Sequence, residues 1–277
     1  MLNDDAYNNR GYIPDADDYV DRWAEDARQF RETEAAIGRA RLNTAYGRHE
    51  REKFDLFHPS GRPAGLVVFV HGGYWRLFDR SYWSHFAQGA VARGWAVAVP
   101  SYPLCPEVRI AEITRSISTL VAAAAGYVAG PIALTGHSAG GHLVARMLCR
   151  SAGLPGEVSA RITHVAPISP VSDLRPLIET EMNGDFRLDE VSAAAESPAL
   201  LQKNVDASVS VWVGGEERPA FLDQARWLAR AWEDARLEVV PGHHHFNVID
   251  MLRDPNSVVV KELTAKATGH GGQPPPP

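Results

Sequence analysis

Continuous apolar runs of strand length alternate along this chain with segments whose apolar residues recur at helical spacing. Residues 65–70 read GLVVFV, residues 95–99 read WAVAV and residues 209–213 read VSVWV, and such runs are typical of strands buried on both faces of a sheet. Residues 111–125 and 219–232 carry apolar side chains at helical intervals. Strands that alternate with helices predict an α/β fold, with a mostly parallel sheet of about eight strands and helices on both faces.

The same two periods predict the remaining elements. Further strands are expected at 50–58, 131–135, 162–168 and 237–240, and further helices at 17–40, 82–93 and within 248–267. Between 170 and 204 the alternation lapses into a polar stretch, which we interpret as a small cap over the site rather than a domain. We therefore expect a single domain over 1–268 with an N-terminal helical segment at 14–40. The tail at 269–277, GHGGQPPPP, has no core-forming residues and is expected to be disordered.

Composition and charge exclude several classes of protein. The 277 residues are 45% hydrophobic and 22% charged, which is ordinary for a soluble globular protein. The net charge of −6 and the lack of a dense basic run predict no nucleic-acid partner. The first residues, MLNDDAYNNR, are too polar for a signal peptide, and no window approaches the ~20 apolar residues of a membrane helix. With two cysteines, a cytoplasmic protein without a membrane partner is expected. The oligomeric state stays open, a homodimer included.

The sequence GHSAG at 136–140 lies between a predicted strand and a predicted helix. A serine on a sharp strand-to-helix turn is held in a strained backbone, and small neighbours let strand and helix pass close beside it. The turn lifts the hydroxyl above the sheet edge, where the helix N-terminus favours a developing negative charge. A five-residue match alone arises by chance, but the strand and helix supply the context that the motif requires. We predict that Ser138 is a nucleophile.

A serine nucleophile needs a base to take its proton and a carboxylate to orient that base. In doubly wound hydrolases with this serine turn, the two follow the serine in the order acid, histidine. The acid candidates are Glu216 and Glu217, directly after a buried strand, with Asp173 and Asp206 as weaker alternatives. The base is expected among the three histidines at 243–245. Adjacent histidines rarely chelate one ion well, and no H-E-x-x-H motif is present, so we predict neither a metal nor another cofactor.

The sequence HGGYW at 71–75 follows the first central strand. Preorganised N–H donors must stabilise the oxyanion of an acyl-transfer reaction. We expect Gly72 and Gly73 to supply bare backbone N–H groups, joined by the N–H of Ala139, the residue after the predicted nucleophile. The residues expected to line the substrate site carry an aromatic or imidazole ring: His71, Tyr74, Trp75, Tyr102, His137 and Phe246.

Together these motifs give the chain a resemblance to the α/β-hydrolase superfamily, in particular to kynurenine formamidases (arylformamidases) and related bacterial esterases. The resemblance covers nearly the whole chain, from YNNR at 7–10 to the last helix. The motifs that carry it are HGGYW at 71–75, where many esterases have HGGG, SYPLCPE at 101–107, GHSAGGH at 136–142, SDLRPL at 172–177, GGEERPAF at 214–221 and HHFNVI at 244–249.

The resemblance implies an activity and assigns roles to particular residues. The acid of the family, two residues before the proline, falls on Glu217, and its base, the histidine before Phe, falls on His245. The implied triad with Ser138 would cleave a small-acyl ester or an aryl formamide such as N-formylkynurenine through an acyl-enzyme. Eukaryotic formamidases usually have Asp at the position of Glu217, so Glu216 stays an alternative.

Two other functions and one substrate contact stay open at this point. The chain could be a general short-chain carboxylesterase with no link to tryptophan breakdown, or, less favoured, a binding protein that kept the hydrolase fold without catalysis. The carboxylate of N-formylkynurenine would need a cation nearby. The sequence offers Arg76, Arg80, Arg175 and Arg187 without selecting among them.

Overall fold

The computed structural model describes residues 3–265, and within them eight strands form one sheet. The strands are β1 (Ala40–Ala45), β2 (Lys53–Phe57), β3 (Leu66–Val70), β4 (Ala96–Pro100), β5 (Ile132–His137), β6 (Ile162–Ile168), β7 (Ser208–Gly214) and β8 (Ala235–Val240). They lie in the order β1-β2-β4-β3-β5-β6-β7-β8. The β1–β2 and β2–β4 pairs are antiparallel and the other five are parallel. The predicted α/β fold with a mostly parallel sheet is confirmed.

Helices cover both faces of this sheet. The α-helices in the described part of the chain are α1 (Ala16–Ala36), α2 (Gln88–Ala92), α3 (Ile110–Ala125), α4 (Ala139–Arg146), α5 (Gly156–Ser159), α6 (Asn183–Phe186), α7 (Glu190–Glu196), α8 (Pro219–Ala231) and α9 (Val258–Leu263). One hydrophobic core includes residues of α3, α4 and α8, and a second includes residues of α1, α2 and α9. The strands between the two cores are buried on both faces, which explains their unbroken apolar runs.

Three predicted helices differ from the observed elements. The first ends at Ala36, and Ala40 already begins β1, an edge strand whose residues alternate between half-buried and exposed. The segment predicted as a helix over 82–93 contains 3₁₀ turns followed by the short α2. The closing helix is divided into the 3₁₀ helix Val248–Arg253 and α9. Pro255 lies in the gap, and the residue before a proline is disfavoured in a helix.

The segment at 170–204 folds into α6, α7 and the 3₁₀ helices Arg175–Glu179 and Pro198–Leu200. Its description as a cap, and the single domain over 1–268, stay predictions. The tail at 269–277 lies outside the described residues. No helix in the described part of the chain has the length and apolar character to cross a membrane.

Candidate active site

Ser138 lies on the turn between β5 and α4 with φ 55° and ψ −117°, a conformation that costs free energy for a residue with a side chain. The turn also depends on Gly140, because the missing side chain lets helix α4 pack closely against strand β3. A Cβ added to Gly140 would lie 1.9 Å from the carbonyl oxygen of Val70 at the end of β3, so helix and strand could not approach as they do. The Ser138 N–H donates to the oxygen of Ile168 at 2.8 Å, which fixes the turn from β6.

Glu217 and His245 form a buried pair beyond the ends of β7 and β8. Oε2 of Glu217 lies 2.6 Å from Nδ1 of His245, and the two residues are 6% and 4% exposed. The other carboxylate oxygen, Oε1, accepts from the Ser169 hydroxyl at 2.5 Å and from the Gly214 N–H at 2.8 Å. Because a carboxylate only accepts, the proton of the neutral imidazole lies on Nδ1 and its lone pair lies on Nε2. A base with a free Nε2 is what a serine nucleophile requires.

The structure separates the candidates that the sequence left open. Glu216 is exposed, and its contribution is a backbone N–H that donates to the oxygen of His243. The side chain of His243 turns back to the Pro241 oxygen at 2.9 Å, and His244 contacts the Tyr19 hydroxyl at 3.2 Å. Within the described residues, Glu217 and His245 are therefore the only candidate acid and candidate base whose side chains are in contact. Of the weaker acids, Asp173 binds Arg175 at 2.6 Å and Asp206 is exposed.

Ser138 and His245 line one cavity of about 790 Å³, a size suited to a small-molecule substrate. Gly73 lines the same cavity, and a Cβ added to Gly72 would lie 3.1 Å from Cβ of Ser138, so the HGGYW loop lies against the serine. Ala139 is the first residue of α4, directly after the serine. The structure thus brings all six residues of the expected triad and oxyanion hole to one end of the sheet.

The structure brings only half of the expected ring-bearing residues to this cavity. Tyr74, His137 and Phe246 line it. The other three are buried in the protein interior. The Tyr102 hydroxyl donates to the His71 oxygen at 2.8 Å, and the rings of these two residues stack with their centroids 4.3 Å apart. Trp75 packs against the rings of His142 and Phe186. As a correction, we remove His71, Trp75 and Tyr102 from the expected substrate contacts.

Of the four candidate arginines, only Arg76 lines the cavity, and it is paired with Asp185 at 2.8 Å. The others bind protein groups elsewhere: Arg80 binds Asp55, Arg175 binds Asp173, and Arg187 donates to the Pro106 oxygen. Arg76, Arg80 and Arg175 are therefore each paired with a carboxylate, whereas Arg187 hydrogen-bonds to a backbone oxygen and does not line the cavity.

His137 lies beside the candidate base. Its Nε2 is 2.8 Å from the carbonyl oxygen of His245, and the two ring centroids are 4.6 Å apart. Burial, and secondarily the neighbouring imidazole of His245, hold the pKa of His137 well below its ordinary value. A neutral His137 donates from Nε2 to the loop of His245 and adds no positive charge that would oppose protonation of the base.

Three other buried histidines predict how stability depends on pH. Burial lowers the pKa of His71, His85 and His142 from 6.5 to about 4. The unfolded chain therefore takes up protons at a higher pH than the folded chain does. The free energy of unfolding should fall by about 2 kcal/mol for each of them between pH 7.5 and pH 5.

Urea unfolding at the two pH values measures this loss. The variant His142→Gln is the matched control, because an amide can still donate to the Glu196 oxygen that His142 contacts at 2.7 Å. Its loss of stability between the two pH values should be about 2 kcal/mol smaller than that of the wild type. An unchanged difference would contradict a neutral, buried His142.

Residues that sequence reasoning did not select form a wall of the cavity. Tyr7, Asn9 and Trp23 line it from the N-terminal segment, and Met182 and Asp185 line it from the segment at 170–204. In the sequence, the YNNR motif at 7–10 marks part of this wall, but residue type and spacing alone indicate no role for it.

Comparison with known proteins shows which sequences and structures this chain is similar to. A family model for the α/β-hydrolase fold matches residues 67–266. Kynurenine formamidase from Danio rerio is 27% identical over 90% of this chain and 89% of its own length. A crystal structure of a Silicibacter sp. TM1040 protein, provisionally described as a thioesterase, is 59% identical, covers 96% of this chain and 100% of its own, and superimposes with a TM-score of 0.93.

At lower identity the fold alone is shared. An esterase from Pyrobaculum calidifontis is 19% identical, with a TM-score of 0.67 over 88% of this chain and 92% of its own. The resemblance drawn from the motifs is confirmed by these similarities.

Proposed function

The chain belongs to the α/β-hydrolase family, and from this premise we propose that it is a serine hydrolase that cleaves an aryl formamide or a small-acyl ester through an acyl-enzyme. The observation that carries the proposal is the 2.6 Å contact between Glu217 and His245, since His245 lines the same cavity as Ser138. A nucleophile, a base and an orienting acid in this order along the chain support acyl transfer.

In the proposed mechanism, Oγ of Ser138 attacks the carbonyl carbon while Nε2 of His245 takes its proton. The oxyanion accepts from the N–H groups of Gly72, Gly73 and Ala139. His245 then returns the proton to the departing amine or alcohol, and the carbonyl forms again as the acyl-enzyme. A water molecule, deprotonated by His245, attacks this ester, and the acid product leaves as Ser138 recovers its proton. Glu217 stabilises the imidazolium and keeps Nε2 directed at the serine.

Three observations favour an aryl formamide among the candidate substrates. The chain is similar over most of its length to kynurenine formamidases, and the cavity is walled by aromatic rings that can pack on an arylamine. The cavity is also far larger than a formyl group needs, so the leaving group must occupy most of it. N-formylkynurenine is the substrate that we propose.

The test is the ratio of kcat/KM for N-formylkynurenine to kcat/KM for p-nitrophenyl acetate. The nitrophenyl ester has the better leaving group, so an enzyme with no specific fit would hydrolyse it faster. We expect the formamide to be preferred. A strong preference for the ester would replace the formamidase proposal with a general carboxylesterase.

Two further measurements cover the remaining alternatives. A short-chain acyl thioester should be assayed in parallel, because the 59% identical crystal structure carries a provisional thioesterase description. A fluorophosphonate probe should label Ser138 in the folded protein. If Ser138 stays unlabelled, the protein is a binding protein on a hydrolase fold.

A further inference from the structure

An ion pair lines the cavity between the end of the HGGYW loop and the segment at 170–204. Nη1 of Arg76 donates to Oδ2 of Asp185 at 2.8 Å, and both residues line the cavity that contains Ser138. Their side chains are 35% and 37% exposed, so a bound molecule can reach them. Arg76 and Asp185 therefore present a positive and a negative charge, side by side, to a molecule in the cavity.

Each member of the pair keeps an accessible polar atom that is not used within the protein. A guanidinium group has five N–H donors, and a carboxylate accepts at two oxygens. Within residues 3–265, Nη2 of Arg76 and Oδ1 of Asp185 make no hydrogen bond, and neither atom is buried. Nε of Arg76 is buried, so it cannot serve a ligand. The pair therefore offers one donor, Nη2, and one acceptor, Oδ1.

The backbone holds Arg76 at a fixed position relative to the expected oxyanion hole. The N–H of Arg76 donates to the oxygen of Gly73 at 3.0 Å, across a turn whose central residues, Tyr74 and Trp75, have φ of 49° and 56°. The oxygen of Trp75 accepts from the N–H of Cys105 at 2.8 Å, which anchors the turn from a second loop. Because the turn and the ion pair already order Arg76, little conformational entropy is lost when a ligand binds to it.

Asp185 is held by a different element. It lies in α6, and the ring of the next residue, Phe186, packs on Trp75 with the ring centroids 5.5 Å apart. Nη1 of Arg109, the residue before α3, donates to the Phe186 oxygen at 3.2 Å. The two charges thus come from elements that other contacts hold together, so the carboxylate does not depend on Arg76 alone for its position.

The other acidic and basic residues that line the cavity are less suited to bind a ligand. They are Asp4, Asp5, Arg10 and Glu181. Asp4 accepts from the Glu181 N–H, and Asp5 is paired with Arg218. Arg10 is paired with an aspartate of α1, but its side chain is 62% exposed, so water screens its charge. The pair of Arg76 and Asp185 is half-buried, where charges interact more strongly than in water.

A neighbouring pair of opposite charges is complementary to a zwitterion, whereas either charge of a ligand alone would be repelled by one member of the pair. We propose that Arg76 and Asp185 bind the amino-acid head group of the leaving group. Nη2 of Arg76 donates to the α-carboxylate, and Oδ1 of Asp185 accepts from the α-ammonium. The inference rests on the proposed function, because the formamide must lie at Ser138 while the head group contacts the pair. The substrate class is an aryl formamide with a zwitterionic side chain, as in N-formylkynurenine.

A set of formamides with one aryl ketone core separates the two charges. N-formylkynurenine carries both charges, 4-(2-formamidophenyl)-4-oxobutanoate carries only the carboxylate, N-formylkynuramine carries only the ammonium, and 2-formamidoacetophenone carries neither. The value of kcat/KM is measured for each substrate with the wild type, Arg76→Gln and Asp185→Asn. Each value is divided by that for 2-formamidoacetophenone with the same enzyme. This ratio cancels any loss that comes from a disturbed fold.

The two substitutions should change the ratios of the singly charged substrates in opposite directions. Arg76→Gln should lower the ratio of the carboxylate substrate about 10-fold, which is the effect of losing one charge-assisted hydrogen bond, and should raise the ratio of the ammonium substrate. Asp185→Asn should do the reverse. The ratio of N-formylkynurenine should fall about 10-fold in either variant. Ratios equal to those of the wild type in both variants overturn the proposal, since an ion pair with only a structural role predicts that result.

Arg10→Gln is the matched control, because it removes another positive charge that lines the same cavity. Its ratios should stay within about twofold of those of the wild type, since exposed charges are screened. A loss confined to the carboxylate-bearing substrates in Arg10→Gln, with none in Arg76→Gln, overturns the assignment of the carboxylate to Arg76.

Binding of the product distinguishes failure of the inference from failure of the proposed function. If the wild type hydrolyses no formamide, the formamidase proposal fails, and calorimetry then compares the Kd values of kynurenine and 2-aminoacetophenone, which differ by the head group. Kynurenine should bind about 10-fold more tightly to the wild type, and both Arg76→Gln and Asp185→Asn should lose this preference. That result supports the contact without any hydrolysis. Equal Kd values in the wild type overturn it.

Discussion

Ser138→Ala is expected to lower kcat about a million-fold, on whichever formamide or ester the protein hydrolyses. The variant keeps the cavity and the backbone N–H groups at Gly72, Gly73 and Ala139 but has no oxygen to attack the carbonyl. A residual rate about 10³- to 10⁴-fold above the reaction in water is therefore expected from binding and oxyanion stabilisation. Single-turnover assays at high enzyme concentration measure this residual rate, and mass spectrometry should find no acyl group on the variant.

The backbone at Ser138 supplies the control for this prediction. Alanine at φ 55° and ψ −117° is as strained as serine, so Ser138→Ala should unfold at the same urea concentration as the wild type. Glycine relieves the strain, so Ser138→Gly should be more stable by about 1 kcal/mol and equally inactive. A nucleophilic Ser138 would be contradicted if Ser138→Ala kept most of the turnover. It would also be contradicted if the more stable Ser138→Gly were clearly more active than Ser138→Ala.

The sequence predicts the parts of this fold that depend on local pattern. The runs at 65–70, 95–99 and 209–213 are apolar throughout because helices cover both faces of the strands, and all three match observed strands within one or two residues. The GHSAG turn is equally local, since strand, serine and helix are adjacent in the chain. Features with one exposed face were harder to predict. In β1, half-buried residues alternate with exposed ones, and few of them are apolar. The sequence therefore gives no clear sign of where the preceding helix ends and this strand begins.

The walls of the cavity depend on contacts between distant parts of the chain. Tyr7 meets Gln224 across more than two hundred residues, and no periodicity in the sequence reports such a contact. Aromatic character also fails to separate Tyr74, which lines the cavity, from Trp75, which lies in the core one residue later. Both carry a large ring directly after the glycines, and only the path of the loop decides which ring faces the substrate.

The choice between two adjacent glutamates shows the same limit. Glu216 and Glu217 have the same chemistry and the same position after β7. The Glu216 N–H donates to His243, and the Gly214 N–H donates to the Glu217 carboxylate, so the turn itself selects which side chain points inward. This selection is visible in hydrogen bonds and cannot be read from residue types.

Glu217→Gln is expected to lower kcat about 10⁴-fold, as amide substitution of the orienting acid does in serine proteases. The reason lies in the donors around Oε1. The Ser169 hydroxyl and the Gly214 N–H both donate to that oxygen, so a glutamine would place its carbonyl oxygen there and turn its NH₂ group towards His245. Nδ1 must then accept, the imidazole proton moves to Nε2, and the base can no longer take the proton of Ser138. KM should change far less than kcat, because Glu217 does not line the cavity.

Glu216→Gln is the matched control, since it makes the same chemical change one residue away on an exposed side chain. Its kcat should stay within about twofold of the wild type, because exposed charges contribute little to a buried site. Steady-state kinetics of the two variants at one pH, with urea unfolding to show that both fold, complete the comparison. A larger loss in Glu216→Gln than in Glu217→Gln would move the acid to the neighbouring residue and would require the turn after β7 to rearrange when substrate binds.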